Sequence, residues 1–234
     1  MKSTIQDKTK LVNSVFSKVY KKYDLMNDIM SLGVHRIWKK KLIDWMNPQL
    51  DENLIDVASG TGDVAKLFSI RNNNSNQISC VEPNNEMLKV GKSNLKNYKN
   101  IKWSNSPAEK LSFKNDTYNF YSISFGIRNV SDINLSLKEA LRVLKPGGRF
   151  MCLEFSKIDN EIIKLLYQQY SKTIPFVGKF IVGSSKPYDY LIKSINEFYT
   201  QNELVELMKH NGFSNIEFRN LSNGISAIHS GWKI

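Results

Sequence analysis

The sequence predicts an α/β domain with a mostly parallel sheet, helices on both of its faces and an antiparallel hairpin at the chain end. Three observations predict it. An apolar strand, Leu54 to Ala58, runs straight into a glycine loop, Ser59-Gly60-Thr61-Gly62-Asp63. Short β-rich runs then alternate with helical runs as far as Phe155, the rhythm of a parallel sheet. Two last strand-like runs, 216–221 and 226–230, are joined by a short loop containing Asn223-Gly224, which predicts a hairpin.

The glycine loop is the centre of the chain. Leu54 to Ala58 is too short for a helix and holds β-branched residues. Gly60 and Gly62 lack Cβ atoms, so the turn can take unusual dihedrals and a ligand can approach its backbone. Asp63 suits the first turn of the helix that follows, where a carboxylate complements the helix dipole. Gly60-x-Gly62-x-x-Ala65 satisfies the dinucleotide fingerprint and the adenosylmethionine fingerprint alike. Twenty residues after Gly62 stands Glu82, at the end of a second apolar strand, Ile78 to Val81. An acid at that place can accept hydrogen bonds from both hydroxyls of an adenosine ribose.

In chain order, a polar tail precedes a helical stretch from Val12 to Met46. Val15, Phe16, Val19, Tyr20 and Tyr23 share one face of it; Gly33 interrupts it; Ile37, Trp38, Leu42 and Trp45 then recur at helical spacing. Because it comes before the first strand, this stretch reads as a cap outside the sheet. Its aromatic and methionine side chains suit either ligand cover or plain core packing. Asn47-Pro48 ends it. Helices are expected at Val64 to Ile70, Asn85 to Leu95 and Asp132 to Leu144, the last stopped by Lys145-Pro146-Gly147-Gly148. Strands three, four and five are expected near Ile101 to Trp103, Asn119 to Phe125 and Arg149 to Phe155. Residues 157–200 break the rhythm and are rich in Tyr, Phe, Leu and Ile. A lid over an apolar substrate and a helix pair completing the core are both compatible with them. Thr200 to His210 is a helix with a capping-box pattern, Thr200 with Glu203, and an Asn211-Gly212 stop. The division is therefore a single domain: cap 1–50, core 51–156, lid-like insertion 157–200, terminal helix and hairpin 201–234.

The 234 residues suit one large domain of ordinary globular composition, 41% hydrophobic and 24% charged. No apolar run approaches the roughly 20 residues needed to span a bilayer. The first ten residues are polar, without a signal-peptide core. Cys80 and Cys152 lie in separate strands away from metal spacing, so they are expected as buried thiols, with no metal site. The net charge of +11 favours an anionic surface, nucleic acid or an acidic membrane face, and the first 50 residues hold ten Lys and Arg against four acids.

Four stretches resemble one family. They are "YDLMNDIMSLGVHRIWK" (Tyr23 to Lys39), "DVASGTGD" (Asp56 to Asp63), "ISFGIRNV" (Ile123 to Val130) and "RVLKPGGRFMCLEFSK" (Arg142 to Lys157), with "HNGF" and the terminal "HSGWKI" after them. They are similar to the UbiE-type C-methyltransferases of ubiquinone and menaquinone biosynthesis, and the likeness covers nearly the whole chain past residue 12. A parallel sheet finished by a hairpin also fits the class I methyltransferase (Rossmann-like) fold of seven strands rather than a dehydrogenase. The resemblance implies S-adenosyl-L-methionine across the carboxyl ends of the strands, near Gly60, Thr61, Gly62, Glu82, Pro107, Ala108 and Ser124. The family usually has Asp at the place of Glu82, and often Asp or Asn at the place of Pro107. Pro107 has no N–H, so an adenine hydrogen bond there would come from Ala108 N–H or Ser106.

The resemblance also implies methyl transfer to a ring carbon of a polyprenyl benzoquinol or demethylmenaquinol. Such a carbon becomes nucleophilic when the ring loses a hydroxyl proton, and a nearby cation favours the phenolate. Arg128, after strand four, suits that part; Asn129 beside it can orient a hydroxyl, and Tyr23 from the cap is implied at the same head group. His35, the histidine within a motif stretch, is a further candidate as general base. Expected partners are the polyprenyl quinol, an anionic membrane surface touched peripherally, and a quinone-biosynthesis complex or a second copy of the chain. The expected location is cytoplasmic, at the inner membrane face. RNA methylation is the alternative that the charge permits, although no RNA-binding appendage is evident and no nucleic-acid partner is expected. A dehydrogenase and a non-catalytic scaffold are the others.

Overall fold

The computed structural model describes residues 12, 14, 17, 23–31, 33–158, 161, 165, 167, 169, 170 and 186–234. The rest of the tail and of the insertion, and the side chain of Tyr23, lie outside the described parts. Strands β1 (Leu54–Val57), β2 (Ile78–Val81), β3 (Ile101–Ser104), β4 (Tyr118–Ser124) and β5 (Leu144–Phe155) pair in parallel. Strands β6 (Ser214–Leu221) and β7 (Ser226–Trp232) pair antiparallel, and β7 also pairs antiparallel with β5. The sheet order is β3-β2-β1-β4-β5-β7-β6. The chain winds outward from β1 to β3, then crosses to β4 on the other side. That reversal opens a crevice between the carboxyl ends of β1 and β4, where open α/β sheets bind ligands.

Alternation along the strands builds a core on each face. Leu54, Ile78 and Met151 pack with Trp38, Phe68 and Tyr188 on one side. Ile55, Val81 and Phe150 pack with Leu137, Leu204 and Met208 on the other. The described helices are α1 (Tyr23–Ser31), α2 (His35–Met46), α3 (Asp63–Arg71), α4 (Asn85–Asn94), α5 (Ile133–Val143), α6 (Lys186–Asn196) and α7 (Gln201–His210). Of these, α2, α3 and α6 cover the first face, and α5 and α7 the second. Caps match the sequence: Asn84 accepts from the Glu86 and Met87 amides, Asp132 from Leu135, and Thr200 with Glu203 forms the capping box.

As expected, the cap stretch is interrupted at Gly33, whose φ of +76° only glycine takes at little cost; among the described residues it holds the helices α1 and α2 on either side. One element differs from the sequence reading. β5 starts five residues early, at Leu144, because Lys145-Pro146-Gly147-Gly148 bulges out of the ladder rather than ending it. Tyr118 is opposite Leu144, but Phe120 is opposite Arg149. The bulge is held by the chain end: Gly147 N–H donates to Lys233 O, and Lys233 N–H to Gly148 O. Cys80 and Cys152 are buried free thiols. Among the described residues no helix is long and apolar enough to cross a membrane.

Trp38 seats α2 on the sheet. It is 2% exposed, donates from Nε1 to Ser222 Oγ at 3.0 Å, and packs against Phe125 and Phe155. The cap therefore rests on the carboxyl ends of β4 and β5, beside the crevice.

Candidate active site

Both loops flanking the crevice are backbone-strained. Ala58, after β1, has φ +53°, and Phe125, after β4, has φ +55°. A non-glycine residue in this region costs about 1–2 kcal/mol, a cost that folded proteins concentrate at functional sites. The loops also touch closely, for a Cβ on Gly126 would lie 2.6 Å from the Ala58 Cβ.

Two cavities open here and share Ala58 and Phe125. The larger, with about 770 Å³ of space open to solvent, runs past Gly60, Glu82, Pro107, Ala108 and Asn129. The smaller, about 310 Å³, is lined by Lys39, Asp56, Thr61, Asp63 and Ser124. The fold thus gathers most of the expected cofactor residues along one track. Thr61 and Ser124 line the smaller cavity, and Gly60, Glu82, Pro107 and Ala108 the larger, more apolar one. Gly62 is the left-handed residue, φ +90°, that launches α3. The Ser106 hydroxyl is buried and meets no partner among the described residues.

Glu82 is 6% exposed and fixed by the backbone: Gly60 N–H donates to Oε2 and Asn84 N–H to Oε1, each at 2.9 Å. Burial pushes its carboxyl up to about 7, against the pull of these two amides. Each oxygen keeps a lone pair, so the side chain is set to accept two hydroxyls from one ligand.

The smaller cavity contains residues that the motif reading passed over. Asp56, 1% exposed, takes a hydrogen bond from Ser122 Oγ at 2.6 Å on Oδ1, while its Oδ2 has no partner among the described residues. Burial raises its carboxyl to about 7. Lys39, from the buried face of α2, reaches Asp63 Oδ2 at 2.7 Å. Burial pushes Asp63 up, but the charge and hydrogen bond of Lys39 outweigh it and hold the carboxyl below its ordinary value. The sequence carried a signal for both. Asp56 interrupts an apolar strand, and Lys39 falls on the face shared by His35, Trp38, Leu42 and Ile43. An acid with an unused oxygen and a buried ammonium lining one cavity suit the two ends of an amino-acid zwitterion. The loop, Glu82 and this cradle therefore fit S-adenosylmethionine.

Arg128 and Asn129 lie in a short 3₁₀ turn, Ile127–Asn129, after β4. Asn129 lines the larger cavity. Arg128 sits behind it, 6% exposed and ion-paired. Its Nη1 pairs with Glu154 Oε1 from β5 and donates to Phe125 O at 2.9 Å; its Nε donates to Ser194 Oγ at 3.4 Å. Glu154 is 1% exposed, with Oε2 unpartnered among the described residues, and burial pushes its carboxyl up despite Arg128. Glu154 escaped the sequence reading because an acid in a strand looks solvated until the strand is central.

His35 lines neither cavity. Its Nε2 lies 2.9 Å from Asp28 Oδ1, and Asp28 also takes two hydrogen bonds from Arg36. Burial, then the nearby Lys39 charge, lowers its pKa, so the ring is neutral at pH 7. The Tyr23 backbone lies at the start of α1.

Known proteins share this fold. A crystal structure of a SAM-dependent methyltransferase from Thermotoga maritima superposes with TM-score 0.67 at 18% identity, covering 95% of this chain and all of that one. A Haemonchus contortus phosphoethanolamine N-methyltransferase in complex with S-adenosyl-L-methionine superposes with TM-score 0.61 at 12% identity, covering 84% of this chain and 52% of that one. These show the fold. Closer in sequence are proteins named ubiquinone/menaquinone biosynthesis C-methyltransferase UbiE. That of Rickettsia bellii is 47% identical over 97% of this chain and 94% of its own length. That of Rickettsia prowazekii is 47% identical over 96% and 93%. The profile of the ubiE/COQ5 methyltransferase family matches residues 2–233, and the chain belongs to that family.

Proposed function

We propose that this protein methylates a ring carbon of a polyprenyl benzoquinol, a demethylated menaquinol, or both, with S-adenosylmethionine as donor. One observation carries the reading: the cofactor track and the Asn129 turn meet at Ala58 and Phe125, so donor and acceptor can be pressed together there. Glu82 would accept the ribose hydroxyls, and Lys39, Asp56 and Asp63 would hold the amino-acid end. When bound, the donor supplies an electrophilic sulfonium methyl. The ring would lose a hydroxyl proton to solvent, its ortho or para carbon would take the methyl in line as the methyl–sulfur bond breaks and a neutral thioether leaves, and rearomatisation would release the ring proton to solvent. Asn129 orients the hydroxyl oxygen, and Arg128, neutralised by Glu154, holds the turn that carries it. Fixing two reactants in register contributes up to about 7–11 kcal/mol in well-oriented systems.

The insertion touches the cap and the site: Tyr170 donates to the Ile29 carbonyl of α1, and Tyr190 of α6 donates to Asn129. This supports its reading as a cover over the acceptor's prenyl tail. The basic cap supports peripheral contact with anionic lipid, at about 1 kcal/mol per well-placed cation. Salt-sensitive flotation with anionic vesicles tests that contact; binding that ignores salt, or none, rejects it. The main test incubates the purified protein with labelled S-adenosylmethionine and lipid extracts of cells lacking it. Label on a quinol ring carbon is expected, and label on RNA alone would overturn the proposal.

A further inference from the structure

Helix α6 lies within the insertion, far in sequence from the glycine loop, yet one of its faces touches two neighbouring residues of the candidate reaction turn. Tyr190 and Ser194 are four positions apart, so they project from the same side of the helix. The Tyr190 hydroxyl donates to Asn129 Oδ1 at 2.9 Å, and Ser194 Oγ accepts from Arg128 Nε at 3.4 Å. Buried Tyr188 and Leu191 on α6 pack into the core and fix where this face sits.

The second contact of Asn129 removes the ambiguity of its amide. Its Nδ2 donates to the Phe125 carbonyl at 3.4 Å. A carbonyl can only accept, so the nitrogen must face Phe125 and the oxygen must face Tyr190. One Nδ2 hydrogen is then left over at a residue that lines the larger cavity.

We propose that Tyr190 is a positioning residue for methyl transfer: its hydroxyl locks the Asn129 carboxamide so that an N–H, not a carbonyl oxygen, is presented to the acceptor's ring oxygen. The inference rests on the quinol methyltransferase reading. As the ring hydroxyl loses its proton, its oxygen gains negative charge. A fixed N–H donor is worth more to that oxygen than to the neutral hydroxyl. A freely rotating amide would spend part of its time presenting a carbonyl oxygen, which repels the anion.

The test compares wild type, Tyr190→Phe, Asn129→Ala and the double variant, with a short-tailed demethylated quinol and S-adenosylmethionine. Tyr190→Phe removes one oxygen and leaves the ring packed. It should lower kcat about 10-fold, the loss of one oriented hydrogen bond. Donor Kd should stay unchanged, and the alkaline rise of the kcat profile should move to higher pH. The double variant should be no slower than Asn129→Ala, because Tyr190 acts through that residue. Unchanged kcat and pH profile for Tyr190→Phe would overturn the proposal. So would additive losses in the double variant, or a Tyr190→Phe protein that does not fold. If the wild type transfers no methyl to any quinol, it is the functional reading that fails.

Discussion

Replacing Arg128 by methionine strands a carboxylate in the core. Side-chain exposure is 4% for Arg128 and 2% for Glu154, so water cannot take over the lost partner. Breaking such a pair from one side costs about 3–5 kcal/mol, whereas exchanging both partners for apolar residues of similar size is often near neutral. Glu154 can relieve the strain by taking a proton. Its folded-state pKa is already raised by burial, so the folded state holds that proton more tightly than the unfolded state. Stability contributed in this way is present at low pH and lost as pH rises above the ordinary carboxylate range. Arg128→Met should therefore be mildly destabilised at pH 5 and lose about 3–5 kcal/mol at pH 8. Arg128→Met with Glu154→Leu should recover to within about 1–2 kcal/mol of wild type. Urea unfolding of the three proteins at both pH values measures this. A single-variant loss below about 1 kcal/mol at pH 8, the range of an exposed pair, would refute the argument.

Three further outcomes are expected. Glu82, raised from 4.5 to about 7, contributes on the order of 3 kcal/mol to the donor-free protein below about pH 4.5, lost as pH rises through about 7; Glu82→Gln should flatten that slope in thermal melts. Ribose hydroxyls favour the carboxylate form, so donor affinity should rise with pH through about 7, and calorimetry in buffers of different ionisation heat should detect proton release. Lys39→Met removes the buried cation beside Asp63 and Asp56 and should weaken donor binding about 10-fold or more by titration calorimetry, roughly one charged hydrogen bond. Gly91→Ala drives a Cβ to 2.2 Å from the Trp103 ring and should cost about 1–3 kcal/mol, lowering Tm by roughly 3–10 °C.

Much of the frame was legible because its signals are local. Leu54 to Val57 reads as a strand from its length and branching, Gly60 and Gly62 announce a turn, and Thr200 with Glu203 marks a helix start. Those features need only a few neighbouring residues, and the structure places them within a residue or two of the expected bounds. Boundaries slipped where a distant strand decides. Lys145 to Gly148 looks like a helix stop, yet the ladder with β4 resumes around the bulge because Lys233, from the other end of the chain, pins it.

The amino-acid order by itself determined the α/β class, the hairpin, the place of the glycine loop and the spacing from Gly62 to Glu82, since each follows from local periodicity or backbone freedom. Tertiary structure alone decided how the charges are partnered. It set Arg128 against Glu154 across 26 residues, Lys39 against Asp63 across 24, and Tyr190 against Asn129 across 61. A side chain's charge becomes chemistry only once its burial and its partner are known, and both are made by segments that meet when the sheet closes.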